Sequence, residues 1–387
     1  MDMSAALWSD LPLEMLEQVL SYLLVPDLYR YRTVCKRWDR LICDPKFGSL
    51  CAQNAAKREA SLIVMTYSIR GMGHLGWCFL DVNARQWYVF KDDGQSNPRY
   101  FARTFPVRMD GGLVCQYDLW SDRIVVYNPM SQTHREVPTV PPKCLAPSYN
   151  FREVIFVVDI ITQSFKIFLF YSSHPHDLKN VLKLIYDSVT NEWKTSTSPL
   201  CISSGSKLLG HRVLFEGYLY SFLPKEHPVW RYNLVKDAWE NLDVPLRDKF
   251  TDARLVVTAN RLFLVAWSKG RGLGFDDGGP SWTFQLNELK ITDMTREVLF
   301  EMSEADVKER FETGIENRST GLPGITAFSF GNSILFMSDS TGVTAAFDVV
   351  TRSWDRNFPP NPLEYLPHED CLWNGKQMNL LLPCTLW

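Results

Sequence analysis

An internal repeat constrains the fold of this chain more than any other feature of the sequence. In each copy an apolar residue is usually followed by Asp or Asn and then by a turn, and a Trp stands seven positions after the apolar residue. Four copies keep both ends of this pattern: Leu80 with Trp87, Tyr186 with Trp193, Tyr232 with Trp239, and Phe347 with Trp354. Two weaker copies start at Tyr127 and Leu289 and have His134 and Arg296 in place of the Trp. The steps between the six copies are 46 to 59 residues.

Each copy is preceded by a further pair of short, β-branched or aromatic segments, so that one repeat reads as a four-stranded meander. Such a meander cannot bury both of its faces alone, whereas copies arranged radially cover one another and leave only short edges. Six copies predict a mainly β fold, a six-bladed propeller over residues 62–387. The Asn374-Gly375 pair predicts a C-terminal hairpin that pairs near residues 62–66 and closes the ring. The repeated Trp residues are interpreted as packing anchors between blades.

The direction of the chain predicts which rim of the propeller binds a partner. The turns between first and second and between third and fourth strands are short, whereas the second-to-third connections are long and irregular. Variable loops on a rigid scaffold are where binding usually occurs. The segments 70–76, 117–122, 172–180, 224–229 and 268–281 form this rim. The candidate client-binding residues on it are Arg70, His74, Trp120, His174, His176, Lys225, His227, Lys269, Arg271, Asp276 and Asp277.

Residues 7–47 have a different periodicity, which predicts three short helices. Leu16, Val19, Leu20 and Leu23 recur at helical spacing before Val25-Pro26, and a second apolar stripe runs from Leu28 to Asp44-Pro45. Residues 51–61 are predicted to be a short helical linker. About 40 residues is near the lower limit for a domain that folds alone. We therefore expect part of this apolar surface to be left for a partner.

The order and spacing of several short motifs in this stretch resemble an F-box. They are Leu11-Pro12, Leu16 and Leu20, Pro26-Asp27-Leu28, Val34-Cys35-Lys36-Arg37-Trp38 and Asp44-Pro45-Lys46-Phe47. The resemblance implies an F-box domain over residues 1–50 that binds the Skp-type adaptor of cullin-based ubiquitin ligases. The adaptor-binding residues that it implies are Leu11, Pro12, Leu16, Leu20, Leu28, Val34, Cys35 and Trp38. Among these, Leu20 and Leu28 are the ones expected to be internal to the helices.

The repeat resembles the kelch class, particularly the divergent kelch domains attached to F-boxes in plants, although the double glycine survives only at Gly111-Gly112. Together the two resemblances imply the substrate-recognition subunit of an SCF (Skp–cullin–F-box) ubiquitin ligase, whose propeller holds an unidentified client protein. The alternative is a non-proteolytic scaffold or transcriptional co-regulator that uses the propeller as a protein-interaction module.

Composition argues against other classes of protein. A net charge of −3 with scattered basic residues predicts no direct nucleic-acid binding. The N-terminus lacks a signal-peptide pattern and no apolar run approaches 18 residues, so we expect a soluble cytoplasmic or nuclear protein without a membrane partner. Nine cysteines without a C-x-x-C pair argue against a zinc-bound RING.

Chemistry-bearing motifs are weak. The glycine-rich segment 270–279 is interpreted as a blade loop, because no helix follows it to receive a phosphate. His174, His176 and Asp177 are interpreted as loop residues with no metal, because no further ligand completes a set. Ser303 and Asp306 form a capping-box pattern that predicts a short helix between the fifth and sixth blades. No catalytic motif is present, so we expect a non-enzyme without a cofactor; a propeller enzyme is the remaining alternative, tested by metal content.

Overall fold

The computed structural model describes residues 11–23, 25–55, 62–69, 75–82, 84–90, 107–110, 113–118, 123–128, 133–141, 150–159, 162, 164–174, 177–196, 212–222, 229–246, 250–269, 282–311, 324–338, 341–360 and 371–377. These residues form an N-terminal helical unit followed by four-stranded antiparallel sheets, a mainly β architecture. The helical unit consists of α1 (Leu13–Leu20), α2 (Val25–Arg32), α3 (Lys36–Ile42) and α4 (Pro45–Ala55).

Two prolines that were expected to end helices begin them instead. Pro26 is the second residue of α2, and Pro45 is the first residue of α4. Proline is compatible with the first helical turn because the N–H that it lacks has no intrahelical partner there. Asp44 caps α4, because its carboxylate accepts a hydrogen bond from the Lys46 backbone N–H at 2.8 Å. The two prolines therefore lie at helix boundaries, as predicted, but each marks the start of the next helix and not the end of the preceding one.

Helix α4 belongs to the helical unit. Phe47, Cys51 and Asn54 are buried, and the Asn54 side-chain amide donates to the Ser21 hydroxyl at 2.6 Å. Ser21 directly follows α1, so this bond ties the end of the first helix to the end of the fourth. Residues 51–55, which were expected to lie in a separate linker, thus continue the packed helix. Residues 56–61 lie outside the described residues.

The described strands form six four-stranded sheets, numbered here by their order along the chain. Sheet 1 contains β1 (Leu62–Ile69), β2 (Leu75–Asp81) and β3 (Gln86–Phe90) together with β24 (Cys371–Gln377). Sheet 2 contains β4 (Val107–Asp110), β5 (Leu113–Asp118), β6 (Arg123–Asn128) and β7 (Thr133–Val137). Sheet 3 contains β8 (Asn150–Asp159), β9 (Ser164–His174), β10 (Asp177–Asp187) and β11 (Glu192–Ser196).

Sheet 4 contains β12 (Arg212–Phe215), β13 (Tyr218–Phe222), β14 (Val229–Asn233) and β15 (Ala238–Leu242). Sheet 5 contains β16 (Phe250–Thr258), β17 (Arg261–Lys269), β18 (Trp282–Lys290) and β19 (Thr295–Ser303). Sheet 6 contains β20 (Ile325–Phe330), β21 (Ser333–Ser338), β22 (Thr344–Asp348) and β23 (Ser353–Asp355). In each of these sheets consecutive strands pair in order, which is the meander that the repeat predicts.

Neighbouring sheets pack face to face, which gives the β region a propeller-like arrangement. The first strands contact one another between sheets 2 and 3, 4 and 5, and 5 and 6, and β24 contacts both β4 and β20. Sheets 3 and 4 share an apolar cluster in which Phe168 and Phe170 meet Leu219 and Tyr232. The apolar clusters of the described residues thus lie mainly between neighbouring sheets and not under a separate layer of helices.

The C-terminal strand β24 pairs antiparallel with β1, at the place where the sequence predicted that the C-terminal segment would pair. Asn374 lies opposite Thr66 and Gly375 lies opposite Met65. The two residues therefore lie within a continuous strand, and the predicted Asn-Gly hairpin is wrong. The preference of Asn-Gly for turns is local, whereas β1 offers a complete row of backbone hydrogen-bonding groups to a seven-residue partner.

The seven-residue interval of the repeat is a cross-strand register. Each of the six apolar residues faces its partner directly across the last hairpin of its sheet: Leu80 and Trp87, Tyr127 and His134, Tyr186 and Trp193, Tyr232 and Trp239, Leu289 and Arg296, and Phe347 and Trp354. The Asp or Asn that follows accepts backbone N–H groups within the turn, as when Asp348 accepts from Val350 and Thr351 at 2.8 and 2.7 Å. The repeat therefore encodes one hairpin of fixed length, closed by an Asx turn.

The turn residue five positions after each apolar residue has a positive φ where it is described. These residues are Arg85, Asn191, Asp237, Met294 and Arg352, with φ between 50° and 58°. Four of them bond to a neighbouring sheet: Arg85 to Asp355, Asn191 to Arg135, Asp237 to Lys183, and Arg352 to Glu297. The left-handed turn thus directs a side chain toward the adjacent sheet and links successive sheets along one rim.

The Trp residues of the repeat also contact the preceding sheet, as the sequence predicted. The Trp87 indole N–H donates to the Pro359 carbonyl at 3.0 Å, and the Trp193 indole N–H donates to the Pro138 carbonyl at 2.7 Å. Trp239 packs against the cluster that contains Phe168 and Phe170 of sheet 3. These side chains are packing anchors between sheets.

The capping-box pattern marks a helix, α5 (Glu304–Phe311), which lies between sheets 5 and 6 in the chain. The Asp306 carboxylate accepts from the Ser303 backbone N–H at 3.0 Å and from the Ser303 hydroxyl at 2.6 Å. These hydrogen bonds lower the pKa of the Asp306 carboxyl. Val307 and Phe311 are fully buried, so the predicted helix and its inward face are confirmed.

Candidate protein-docking surface

The helical unit exposes an unusual amount of apolar surface. Among the described residues ten large apolar side chains are exposed, and six of them belong to this unit. They are Leu13, Met15, Val19, Tyr22, Tyr31 and Val34. We call these six side chains the apolar surface of the helical unit. Single exposed apolar residues need no explanation, but a group of this kind on one small unit is typical of a protein interaction site.

Helix α1 contributes three of these residues. Its N-cap residue is Pro12, whose carbonyl accepts hydrogen bonds from the backbone N–H groups of Met15 and Leu16 at 3.1 and 3.0 Å. Met15 is 54% exposed, and Leu13 and Val19 are exposed as well. Pro12 is itself exposed and Leu11 is half-buried. The start of α1 and its outward side are therefore accessible to a partner.

The junction between α2 and α3 supplies the most exposed apolar side chain of the unit. Val34 is 59% exposed, and the next residue, Cys35, is exposed at the N-cap of α3. The Arg32 guanidinium bonds Asp39 at 2.7 Å, and the Tyr31 and Trp38 rings meet edge to face with centroids 5.4 Å apart. These contacts hold α2 and α3 together across the junction, so Val34 is presented on an ordered turn.

Three of the expected adaptor-binding residues are inside the unit. Leu16, Leu20 and Leu28 are buried, so their side chains have no surface for a partner in this conformation. Internal positions were expected for Leu20 and Leu28, whereas the assignment of Leu16 is corrected. Ile42 and Phe47 of the same unit are buried as well. Their role is to hold the helices that carry the exposed residues.

The exposed apolar residues that the predicted adaptor-binding set left out are Leu13, Met15, Val19, Tyr22 and Tyr31. Met15 and Val19 are four residues apart and share one side of α1, although the sequence pattern had grouped Val19 with Leu16 and Leu20, which are buried. The four-residue spacing of Met15 and Val19 was the available signal. Periodicity identifies the side that faces the domain's own core, and the side that faces a partner is then what remains.

The described cysteines of the helical unit differ in burial. Burial raises the pKa of the Cys43 thiol, and Cys51 is buried. Cys35 is exposed at the start of α3. No group of three or more metal-ligating side chains occurs among the residues that the structure describes. No described helix is both long and apolar enough to span a membrane.

Most of the predicted client-binding residues lie outside the described part of the chain. They are Arg70, His74, Trp120, His176, Lys225, His227, Arg271, Asp276 and Asp277. The backbones of the other two, His174 and Lys269, are described. His174 ends β9 and Lys269 ends β17, each the second strand of its sheet. Both backbone positions therefore lie at the edge from which the second-to-third connections leave.

The connection between β9 and β10 is shorter than expected. Segment 172–180 was interpreted as an irregular loop, but β9 continues to His174 and β10 begins at Asp177. His174 and Asp177 face each other across the two strands, and the register shifts between Asp177 and Val181. The hairpin thus extends the sheet at this rim, because backbone pairing continues past the irregularity.

The helical unit contacts the sheets near β3. The Arg30 guanidinium of α2 lies over the Tyr88 ring, with 5.4 Å between its central carbon and the ring centroid. Tyr88 belongs to the outermost strand of sheet 1. Helix α2 therefore contacts the edge strand of sheet 1 through Arg30.

Comparison with known proteins supports the resemblance seen in the helices. Residues 8–47 match the F-box-like family model, which covers α1, α2 and α3. The chain is 23% identical to F-box only protein 6 of Arabidopsis thaliana over 272 residues, which are 68% of this chain and 54% of that protein. It is 21% identical to Protein UNUSUAL FLORAL ORGANS of Arabidopsis thaliana over 376 residues, 91% of this chain and 79% of that protein.

An F-box/kelch-repeat protein of Arabidopsis thaliana is 28% identical over 126 residues, which are 32% of this chain and 28% of that protein. The matched part of this chain thus spans about half of F-box only protein 6, 54% of its length. The helical unit, its family match and these relatives agree with one another. The chain therefore carries an F-box-like domain at residues 8–47 and is similar to F-box proteins of Arabidopsis thaliana.

Proposed function

We propose that this protein is the substrate-recognition subunit of an SCF (Skp–cullin–F-box) E3 ubiquitin ligase. The helical unit docks on a Skp-type adaptor and through it on a cullin, and the sheets hold a client protein. The observation that carries the proposal is the apolar surface of the helical unit within residues that match the F-box-like family. In this proposal the protein works in the cytoplasm, the nucleus or both.

The proposed mechanism requires no chemistry from this chain. A client held by the sheets is brought close to a conjugating enzyme that is bound elsewhere in the same assembly. Tethering converts the encounter between the client lysine and the reactive thioester into a nearly intramolecular event, with an effective concentration set by geometry. Ordered packing between helices and between sheets supports this role, because a firm spacer preserves the distance between the two ends.

The β region is proposed to be a single six-bladed ring of the kelch type. Six sheets in chain order, β24 as the first strand of sheet 1, and the contacts of β24 with β4 and β20 support a closed ring. The recurrent cross-strand pair of an apolar residue and Trp supports the kelch assignment. A closed ring has no long unpaired edge, which suits a stable scaffold for binding loops.

Adaptor docking is tested with purified full-length protein and a recombinant plant Skp-type adaptor in a pull-down, with affinity measured by calorimetry. Met15→Asp and Val34→Asp each place a charge in the apolar surface of the helical unit. Since truncating a buried apolar anchor at an interface costs about 2 kcal/mol, we expect each substitution to weaken binding about 30-fold or more. The matched control is Val235→Asp, because Val235 is 93% exposed in a turn of sheet 4.

The control variant should bind the adaptor with the affinity of the unmodified protein. Equal affinity for the Met15 and Val34 variants and the unmodified protein would remove this surface from the interface. Circular dichroism of each variant shows whether the helices are intact, so that a loss of binding is not mistaken for unfolding.

Client binding is proposed for the rim that carries the second-to-third connections. Proteins that co-purify with both the unmodified chain and Val34→Asp are client candidates, because they do not depend on the adaptor. Lys269→Glu with Arg271→Glu should weaken one of them, and unchanged capture would exclude these two residues. A partner whose lifetime is the same with and without this protein would instead support a non-proteolytic scaffold or transcriptional co-regulator.

A further inference from the structure

Helix α3 carries three exposed basic side chains on one side. They are Lys36, Arg37 and Arg40. Lys36 and Arg40 are four residues apart and Arg37 and Arg40 are three apart, so the three side chains share one face of the helix. Leu41 and Ile42 of α3 are buried, so this face is the one turned away from the core of the helical unit. We call these three side chains the basic face of α3.

The basic face is not neutralised by acidic residues of its own helix or of α2. Within the described part of the chain, none of its three side chains forms an ion pair. Asp39, the carboxylate of α3, is bound by Arg32 at 2.7 Å, and Asp27, the carboxylate of α2, lies 3.5 Å from Arg30. The positive charge of the basic face is therefore available to another molecule.

The positions of these charges do not favour the helix itself. Lys36 and Arg37 are the first two residues of α3, and the N-terminal end of a helix carries a partial positive charge that disfavours cations. Lys36 and Arg40 are like charges four residues apart, which also destabilises a helix. The N-cap residue, Cys35, makes no side-chain hydrogen bond that would offset these costs. Helix stability therefore does not account for the basic face.

The basic face adjoins the apolar surface of the helical unit. Val34 is 59% exposed, Cys35 is exposed, and the exposed Lys36 and Arg37 follow directly in the chain. Four consecutive exposed residues thus lead from the apolar surface into the basic face. Protein interfaces commonly have an apolar centre and a polar rim that stays partly accessible to solvent. A partner that covers Val34 therefore comes close to the basic face.

We propose that the basic face of α3 pairs with an acidic surface of the Skp-type adaptor and accelerates docking of the helical unit. This inference rests on the proposed function, because it takes the adaptor as the partner that covers Val34. Complementary charges at the rim of an interface mainly raise the association rate, whereas buried apolar anchors slow dissociation. The basic face also contributes to specificity, because an adaptor with acidic residues opposite α3 is favoured over one without them.

The test measures association and dissociation rates of the full-length protein with recombinant adaptor by biolayer interferometry, at about 0.1 M and about 1 M salt. The variant Lys36→Gln/Arg37→Gln/Arg40→Gln removes the three charges and keeps long side chains with good helix propensity. At the lower salt concentration we expect its association rate to fall about tenfold, with little change in the dissociation rate. At the higher concentration the difference should shrink, because the Debye length falls from about 10 Å to about 3 Å.

Two further variants separate the basic face from net charge and from helix stability. The matched control Lys166→Gln/Lys194→Gln/Lys236→Gln removes three exposed charges from the sheets, so it changes the net charge equally. Its association rate should stay within about twofold of that of the unmodified protein. The variant Lys36→Arg/Arg37→Lys/Arg40→Lys keeps every charge and should retain fast association.

Association rates that are equal in the neutral variant and the unmodified protein would overturn the proposal and leave adaptor docking in place. A difference that persists undiminished at about 1 M salt would overturn it as well, because a screened charge effect cannot produce it. Failure of the unmodified protein to bind the adaptor would instead overturn the proposed function, and this inference with it.

Discussion

The helical unit and the sheets both have buried apolar cores, but they differ in what they leave exposed. The helical unit exposes six large apolar side chains between Leu13 and Val34. Across all six sheets only Val189, Val235, Val298 and Val350 are exposed among the described large apolar residues. Three of these valines occupy the same position in the last turn of their sheets, three residues after the apolar residue of the repeat.

This difference follows from how each region completes its core. Among the described residues, the apolar side chains of the repeat are mostly buried in clusters between neighbouring sheets. The helical unit is too small to surround itself, and the residues left outside are available to another protein. We therefore interpret the exposed apolar side chains of the helical unit as a candidate interaction surface. The exposed valines of the sheets are single residues that need no partner.

The strongest challenge to this contrast is a large-to-small substitution within the sheets. Phe336 is fully buried and its ring lies 5.5, 6.0 and 5.6 Å from those of Phe284, Phe300 and Trp354. Phe336→Ala should lower the free energy of unfolding by about 3–5 kcal/mol, because it leaves a cavity between two sheets. Urea denaturation measures it. Val350→Ala, at an exposed turn, should stay within about 0.5 kcal/mol of the unmodified protein.

A similar loss for both variants would mean that the exposed valines are packed against something in solution. The contrast between buried and exposed apolar residues in the sheets would then be wrong.

The next prediction separates the two kinds of apolar residue in the helical unit. Leu16→Ala should destabilise the unit by about 2–5 kcal/mol, because the side chain is fully buried. Hydrogen exchange followed by mass spectrometry should then show faster exchange across α1. Val34→Asp should leave exchange unchanged, because that side chain is exposed, while adaptor capture is lost. Unchanged exchange with Leu16→Ala would return Leu16 to the candidate interface.

Much of the fold could be predicted because the repeat reflects interactions between residues that are close in sequence. A hairpin closed by an Asx turn has a fixed length, so the interval from Tyr186 to Trp193 reports a direct cross-strand pair. Capping by Ser303 and Asp306 is equally local. The Asn374-Gly375 turn failed because pairing with β1, more than 300 residues away in sequence, overrides the local preference.

The candidate site was predicted less completely for a related reason. The family resemblance located Val34 and Cys35 on the surface, but it did not separate Leu16, which is internal, from its exposed neighbours. Periodicity identifies the apolar side of a helix, but it does not show whether the domain's own core or a partner protein covers that side. The proposed client-binding residues depend on connections between strands, which no local pattern constrains.

Polar contacts between sheets should contribute less than the aromatic core. Lys183 on β10 is buried, donates to the Tyr232 hydroxyl at 2.6 Å and bonds the Asp237 carboxylate of the next sheet. Burial lowers the pKa of Lys183, and Asp237 opposes that shift. Asp237→Asn should destabilise the protein by about 1–3 kcal/mol at pH 7, because it removes the charge that compensates the buried ammonium. Asn tolerates the positive φ of this turn, so the backbone is preserved.

The loss of stability caused by Asp237→Asn is expected to depend on pH. The folded protein binds the Lys183 proton less tightly than the unfolded chain, whose pKa is about 10.5, so stability rises with pH up to that value. Asp237→Asn lowers the pKa of Lys183 in the folded protein further, which widens the pH range over which stability rises. Urea midpoints at pH 7 and pH 10 should therefore show a smaller difference between variant and unmodified protein at pH 10. A difference that grows with pH would contradict the assignment of the buried charge.

The smallest predicted effect concerns one turn and shows how far the sheets depend on local geometry. Glu216 and Gly217 connect β12 to β13, and both have positive φ, 48° and 76°. Two-residue hairpin turns of this kind prefer Asn-Gly. Glu216→Asn should therefore stabilise the protein by about 0.5 kcal/mol. Gly217→Ala should destabilise it by about 1 kcal/mol from backbone strain alone, since nothing lies within 4 Å of the added carbon. Opposite signs in urea denaturation would establish that this turn acts through its backbone conformation. Equal signs would mean that neighbouring side chains decide its stability, and the sheets would then resemble the helical unit in depending on packing beyond the repeat.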